Sequence, residues 1–338
     1  MCLALVSETY AYDLHGWQTG MEADYDGTAI FSESLRYQDA TGKKATTQPR
    51  WDGRISEAVT LHAGQQASQA YSYFYDGLGR LCDVSHYDGN HVSEIFCGGT
   101  CSYDSNGNLT ENTWNCLQFS YNVLNLPCTA KETWGRQRRS LTYTYLADGT
   151  KVSARILGGE GLRYSGSFVY AVSADGSETL ESVGWDEGRI IIGSNGTVGQ
   201  DQWFVRDHLG NVRSVVDLSA PDGSTAETAL VEQSDYLPFG TRIAVTTGTG
   251  TSDNRYRYAG KEEQRFGTGP SPMDLEHLDF GARFYDPFTA RWTTPDPLAS
   301  KYPSISPYAY CANDPVNKFD PNGRNDYLIN EKGKVVFD

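Results

Sequence analysis

Methionine is scarce in this chain, three residues in 338, and no segment sustains a 3.6-residue apolar period over ten positions. A helix bundle is thereby excluded. No window approaches the roughly 20 consecutive apolar residues of a membrane-spanning helix. The stretch Met1-Cys2-Leu3-Ala4-Leu5-Val6 lacks a positive flank, and polar residues interrupt it too early for a secretory leader, so no export or membrane signal is expected here. Positive charge is also short: 28 Lys and Arg face 43 Asp and Glu, a net charge of −15. The one basic cluster, Arg136-Gln137-Arg138-Arg139, reads as a solvated turn and not as the stripe that tracking phosphates needs, which excludes nucleic acid as an expected partner. Gly-x-Ser-x-Gly elbows, phosphate loops and His-Glu-x-x-His pairs do not occur. The seven cysteines are odd in number, and Cys97-x3-Cys101 has no second paired ligand set at zinc-like spacing. They are read as free or buried thiols, and neither metal nor cofactor is expected.

What the chain does have is 22 tyrosines and 35 glycines, strand formers and turn residues, and this profile predicts an all-β fold. The length suits two average domains or one elongated β body. Internal repetition favours the second. Tyr12-Asp13-Leu14-His15-Gly16, Tyr75-Asp76-Gly77-Leu78-Gly79-Arg80-Leu81, Tyr103-Asp104-Ser105-Asn106-Gly107-Asn108-Leu109 and Arg206-Asp207-His208-Leu209-Gly210-Asn211-Val212-Arg213 share an Asp-x-x-Gly step. Degenerate copies lie at Tyr121-Asn122-Val123-Leu124-Asn125-Leu126 and Tyr145-Leu146-Ala147-Asp148-Gly149.

Each unit reads as a β-hairpin. Alternation in Tyr71-Ser72-Tyr73-Phe74-Tyr75 and Leu141-Thr142-Tyr143-Thr144-Tyr145 builds a strand with one aromatic face, Asp caps the bend and Gly takes the position of positive φ. Unequal spacings of 28, 18 and 24 residues between Tyr75, Tyr103, Tyr121 and Tyr145 exclude equal propeller blades and predict a long antiparallel ribbon. Only single helical turns are expected, near 226–232, 260–265 and Lys301, with a flexible loop at 246–252.

The last third carries an ordered series of proline steps: Tyr285-Asp286-Pro287, Pro295-Asp296-Pro297, Asn313-Asp314-Pro315 and Asp320-Pro321-Asn322-Gly323. Each alone predicts a bend, because the carboxylate caps backbone amides while proline sets φ. Their order carries more. With Asp235-Tyr236-Leu237-Pro238-Phe239-Gly240, Tyr256-Arg257-Tyr258-Ala259-Gly260-Lys261-Glu262, Asp279-Phe280-Gly281-Ala282-Arg283-Phe284-Tyr285, Arg291-Trp292-Thr293-Thr294 and Tyr308-Ala309-Tyr310-Cys311-Ala312, they make residues 201–324 resemble the C-terminal repeat-associated core of Rhs/YD-repeat proteins. Residues 1–200 resemble that family's YD repeats through degenerate copies.

The resemblance implies a division into a ribbon over 1–200 forming part of a hollow shell wall, a core over 201–324 closing one end as a plug, and the start of a variable C-terminal segment over 325–338. It implies encapsulation and delivery of a C-terminal toxin or effector, secreted or at the cell surface as part of a larger protein, with upstream shell repeats or secretion machinery as further partners. In some members, including the C components of insecticidal toxin complexes, the core also cuts the chain after the Asp-Pro-x-Gly step with two aspartates. Arg283, Asp296 and Asp320 stand in the places of the arginine and aspartates concerned, and the cut would fall between Arg324 and Asn325. Arg324 stands where relatives known for cleavage have leucine.

The chemistry is independent of the family. Two adjacent carboxylates share a proton, so one activates water while the other protonates a carbonyl oxygen, and an arginine orients one of them by a bidentate pair. The alternative is that both aspartates only cap turns before proline. Asp286 is a further candidate for either place, and His208 reads as a turn residue before it reads as a base. Trp17, Trp51, Trp114 and Trp185 would either stack on carbohydrate or pack between hairpins. The competing functions are therefore a surface binding module without proteolysis or a fragment of a larger protein. Fourteen residues after Arg324 are too few to fold as a toxin, and about 200 residues of repeat make only part of a wall, so sequence upstream of Met1 and truncated cargo are expected.

Overall fold

In the computed structural model of the chain the described residues are 6–38, 50–64, 68–75, 81–86, 100–113, 115–133, 138–193, 195–220, 229–243, 254–266, 273–324, 327–329 and 335–337, with the backbone alone at 82–86, 243, 327–329 and 335–337. Two antiparallel sheets hold most of it. The first joins six strands in chain order, Val6–Tyr12, Gln18–Tyr25, Thr28–Arg36, Glu57–His62, Gln69–Tyr75 and Leu81–His86. The second joins thirteen, again in chain order, from Cys101–Tyr103 to Leu230–Gln233. Within each of these sheets every strand pairs with its neighbours in sequence, so the body is an open all-β ribbon. The second sheet runs without a break across residue 200 through the strand Val198–Arg206.

One turn builds much of this ribbon. In Asp104–Asn108 the Asp104 amide donates to the Asn108 carbonyl, and the Gly107 amide returns to the Asp104 carbonyl. The Asp104 carboxylate meanwhile accepts the amides of Asn106 and Asn108, both at 2.9 Å. Gly107 sits at φ +84, which closes a three-residue loop with a bulge. The same backbone pattern recurs at Asp13, Asn122 and Asp207. It also recurs at Leu146, where the cap has moved to Asp148, whose carboxylate accepts the Thr150 amide. The register shifts beside Tyr12, Tyr103 and Tyr145 place a bulge at the tyrosine that enters each such turn, and a register shift also lies beside Tyr75.

A partly overlapping set of tyrosines connects one hairpin to the one before it. The phenols of Tyr37, Tyr75, Tyr121 and Tyr145 donate to the carbonyls of Gln18, Ile55, Leu109 and Pro127 at 2.8–2.9 Å. Alternation decides what faces inward: in Leu117–Tyr121, Leu117 and Phe119 are buried while Gln118 and Ser120 face solvent.

The C-terminal part lies against that apolar face. Glu262–Phe266, Met273–Asp279, Phe284–Asp286 and Arg291–Trp292 form a four-stranded sheet. Its Phe266, Met273, Leu275 and Phe284 pack on Phe119, Leu141, Tyr143, Leu162 and Val169 of the ribbon in one core. Lys151, from the ribbon, inserts between Glu262 at 2.7 Å and Asp279 at 2.6 Å. Burial opposes its charge, yet the two carboxylates hold the ammonium well above lysine's usual range.

Two local expectations are corrected. Glu262–Phe266 is a strand and not a helical turn, because alternate residues Glu262, Gln264 and Phe266 are buried against the ribbon. Leu230–Gln233 is likewise the edge strand of the large sheet, whereas a single 3-10 turn does form at Ala299–Lys301. The loop at 246–252 lies outside the described residues. Among the described residues no helix is long and apolar enough to cross a membrane, and no group of His, Cys, Asp and Glu has the arrangement of a metal site. Cys101, Cys116, Cys128 and Cys311 form no disulfide, and Cys97 lies outside the described residues.

Candidate functional site

Three bends of the C-terminal part converge on one guanidinium. Arg283 leaves a tight turn in which the Phe280 amide donates to the Arg283 carbonyl at 3.1 Å, and it begins the strand Phe284–Asp286. Asp296 follows the strand Arg291–Trp292, and its own carboxylate accepts the Leu298 amide at 2.6 Å. Asp320 follows Lys318–Phe319 and caps its own proline turn, taking the amides of Asn322 at 3.0 Å, Gly323 at 2.7 Å and Arg324 at 3.3 Å on Oδ1. As bends the three are ordinary Asx turns.

The tertiary fold brings them together. Nη2 of Arg283 is 3.1 Å from Asp296 Oδ2 and 3.4 Å from Asp320 Oδ2, so one nitrogen serves both carboxylates. Nε of the same side chain donates to the Gly323 carbonyl at 2.6 Å, and Nη1 donates to the Pro307 carbonyl at 3.4 Å. Trp292 covers the guanidinium, whose carbon lies 4.1 Å from the ring centre. Behind it Phe280, Tyr285, Trp292 and Tyr310 form a buried aromatic cluster.

The two carboxylates differ in environment. Asp320 is wholly buried, and burial pushes its carboxyl above the usual carboxylate range against the pull of its amides and Arg283. Asp296 keeps 20% of its side chain exposed and is within reach of water. A buried carboxyl pushed upward beside a more exposed one is an asymmetry of the kind that can divide acid from base. The peptide chain itself enters the site: Arg283 holds the Gly323 carbonyl, and the Arg324 amide donates to both Asp320 and Asn322. Gly323, at φ +73, is closely packed: a methyl there would be strained by the backbone conformation and would lie 3.1 Å from the Arg283 amide nitrogen. Asn325 lies outside the described residues.

The other candidates lie elsewhere. Asp286 caps the amides of Phe288 and Thr289 and faces the ribbon, 3.5 Å from Asn112 Nδ2 and 3.9 Å from His277 Nε2. His208 is clamped between Glu33, at 3.2 Å, and the Val316 carbonyl, at 3.1 Å. Burial lowers its basicity, but Glu33 and Asp207 outweigh that and raise it to about 9. Such a group is a fixed cation and not a base. Trp17 stacks on His15 and packs on Tyr37, and Trp185 meets Trp203 edge to face, whereas Trp51 is 75% exposed. Trp114 lies outside the described residues. Sequence reasoning assigned no role to Trp292 or to the Pro307 carbonyl, since nothing local marks a residue that acts only by covering or orienting another.

No family model matches the chain. Over 275 residues it is 26% identical to the tRNA3(Ser)-specific nuclease WapA of Bacillus spizizenii and 25% identical to the tRNA nuclease WapA of Bacillus subtilis. Each match covers 78% of this chain, and the chain spans only 11% of the length of either relative. Among solved structures it resembles TcdB2-TccC3 without its hypervariable C-terminal region, at a TM-score of 0.57 and 14% identity over 94% of this chain and 17% of that one. A Photorhabdus luminescens Tc holotoxin pore with a substituted TccC3 matches at 0.50 and 14%, over 94% of this chain and 20% of that one. The structural likeness is one of fold, an antiparallel β-ribbon shared along almost the whole chain. The two WapA relatives, tRNA nucleases by name, are much longer than this chain.

Proposed function

We propose that this chain is the closing end of an Rhs/YD-repeat shell that holds and delivers a C-terminal toxin or effector, and that it cuts itself between Arg324 and Asn325. In this reading residues 1–200 are wall, 201–324 are the closing core and 325–338 begin the segment to be released. The likeness of fold to TcdB2-TccC3 and the sequence similarity to WapA support the shell. The observation that carries the cleavage is the Arg283 guanidinium, which joins Asp296, Asp320 and the Gly323 carbonyl beside the bond concerned.

The reaction consumes one water. Asp296 takes a proton from it as the oxygen adds to the Arg324 carbonyl carbon, while the acid form of Asp320 gives its proton to the carbonyl oxygen. The carbon–nitrogen bond then breaks, its electron pair goes to the Asn325 nitrogen, and that nitrogen takes up the proton held by Asp296. The hydroxyl proton returns to Asp320. Arg283 keeps both groups and the chain in register, which removes most of the orientational cost of an intramolecular reaction.

Intact-mass spectrometry of the purified chain beside Asp296→Asn and Asp320→Asn tests this. Loss of residues 325–338 is expected in the parent and in neither variant. A folded parent chain that keeps its full mass would overturn the cleavage.

A further inference from the structure

Lys261 belongs to the turn Arg257–Lys261, away from the three residues that define the site. The turn is fastened to the ribbon, because the Ala259 amide donates to the Asn211 side chain at 2.7 Å. From this anchored position Lys261 Nζ donates to the Pro321 carbonyl at 2.7 Å, on the residue directly after Asp320, and lies 5.5 Å from the Phe280 ring centre. The carboxylates that act on its charge are Asp279 and Asp320, and Asp279 is engaged by Lys151 at 2.6 Å. Asp320 for its part faces Arg283, which is shared with Asp296. A second cation is thus held near the buried carboxyl, tied by its hydrogen bond to the Pro321 carbonyl and by the Phe280 ring.

We propose that Lys261 is a positioning residue for the self-cleavage, holding the Asp320-Pro321-Asn322-Gly323 turn by its first peptide carbonyl and lending positive charge to the Asp320 carboxyl. The inference rests on the cleavage reading above. Burial draws the Lys261 ammonium below lysine's usual range while Asp279 and Asp320 pull it the other way, so the lysine and the Asp320 carboxyl are electrostatically linked.

The test is a time course of cleavage in the full chain across a pH series, for the parent, Lys261→Met, Lys261→Gln and Lys261→Arg, with thermal melting as the control for folding. Lys261→Met is expected to slow cleavage roughly ten- to a hundred-fold, the cost of a small misplacement of reacting groups. Its alkaline limb should move up by about one pH unit, because Asp320 without the nearby cation releases its proton less readily. Lys261→Gln keeps a donor for Pro321 and should show that displacement with a smaller loss of rate, and Lys261→Arg should restore both. A parent that does not cut refutes the cleavage reading itself. A parent that cuts beside a Lys261→Met variant of equal rate and unchanged pH limb overturns the role of Lys261, as does slowing with no displacement in either neutral variant.

Discussion

Gly107, at the tip of a ribbon turn, and Pro295, one residue before Asp296, are in such close contact that a methyl on Gly107 would lie 2.8 Å from Pro295 Cγ. The Gly107 carbonyl also accepts the Tyr308 phenol at 2.7 Å. A repeat turn therefore supports one of the two aspartates directly. Gly107→Ala is expected to cost about 1–2 kcal/mol for the positive φ alone and to slow cleavage by displacing Pro295. Chemical denaturation and a cleavage time course measure the two effects, and an unchanged rate would separate the ribbon from the site.

Arg283 is buried, and its fork cannot be replaced by a point charge. Arg283→Lys keeps the charge but loses the simultaneous bonds to Gly323 and to the two aspartates. We expect the proposed cleavage to become undetectable and a stability loss of about 1–3 kcal/mol, since the charge stays while buried acceptors lose their donors. A urea midpoint close to the parent's would contradict the geometry.

His208 makes stability depend on pH at the alkaline side. Its folded value of about 9 lies above the ordinary 6.5, so the folded state binds the extra proton between these values. The contribution is complete below 6.5 and disappears as pH rises through 9, a loss on the order of 2–3 kcal/mol. Urea unfolding at about pH 6 and about pH 10 should show this loss in the parent, and the His208→Gln variant should lack that pH dependence.

The tyrosine ladder yields a simpler prediction. Tyr121→Phe removes the 2.8 Å bond to the Leu109 carbonyl while leaving the ring in place. Such a bond is worth about 1 kcal/mol, and Tyr121→Phe combined with Tyr145→Phe should cost nearly twice that, since the two link different hairpins. Thermal melts of the single and double variants check the sum.

The repeating turn was legible because all its determinants lie within five residues. Asp104 supplies the acceptor and Gly107 the positive φ, and the copy at Leu146 survives because any nearby carboxylate, here Asp148, can cap the same amides. The strand Glu262–Phe266 was not legible. Its charged residues read as a single helical turn, and Lys151, Arg255 and Tyr164, contributed from elsewhere, make the burial of Glu262 possible.

Local chemistry encodes the strand-and-turn alphabet and the order in which the hairpins follow one another, and the resemblance to the Rhs core singles out Arg283, Asp296 and Asp320. Only the tertiary structure decided that Asp296 and Asp320 reach one nitrogen of Arg283, that Asp286 faces the ribbon and that Lys261 holds Pro321. The physical reason is range. Turn chemistry is set by covalent neighbours, whereas Arg283 and Asp320, 37 residues apart, meet only because the aromatic cluster of Phe280, Tyr285, Trp292 and Tyr310 buries the bends that carry them.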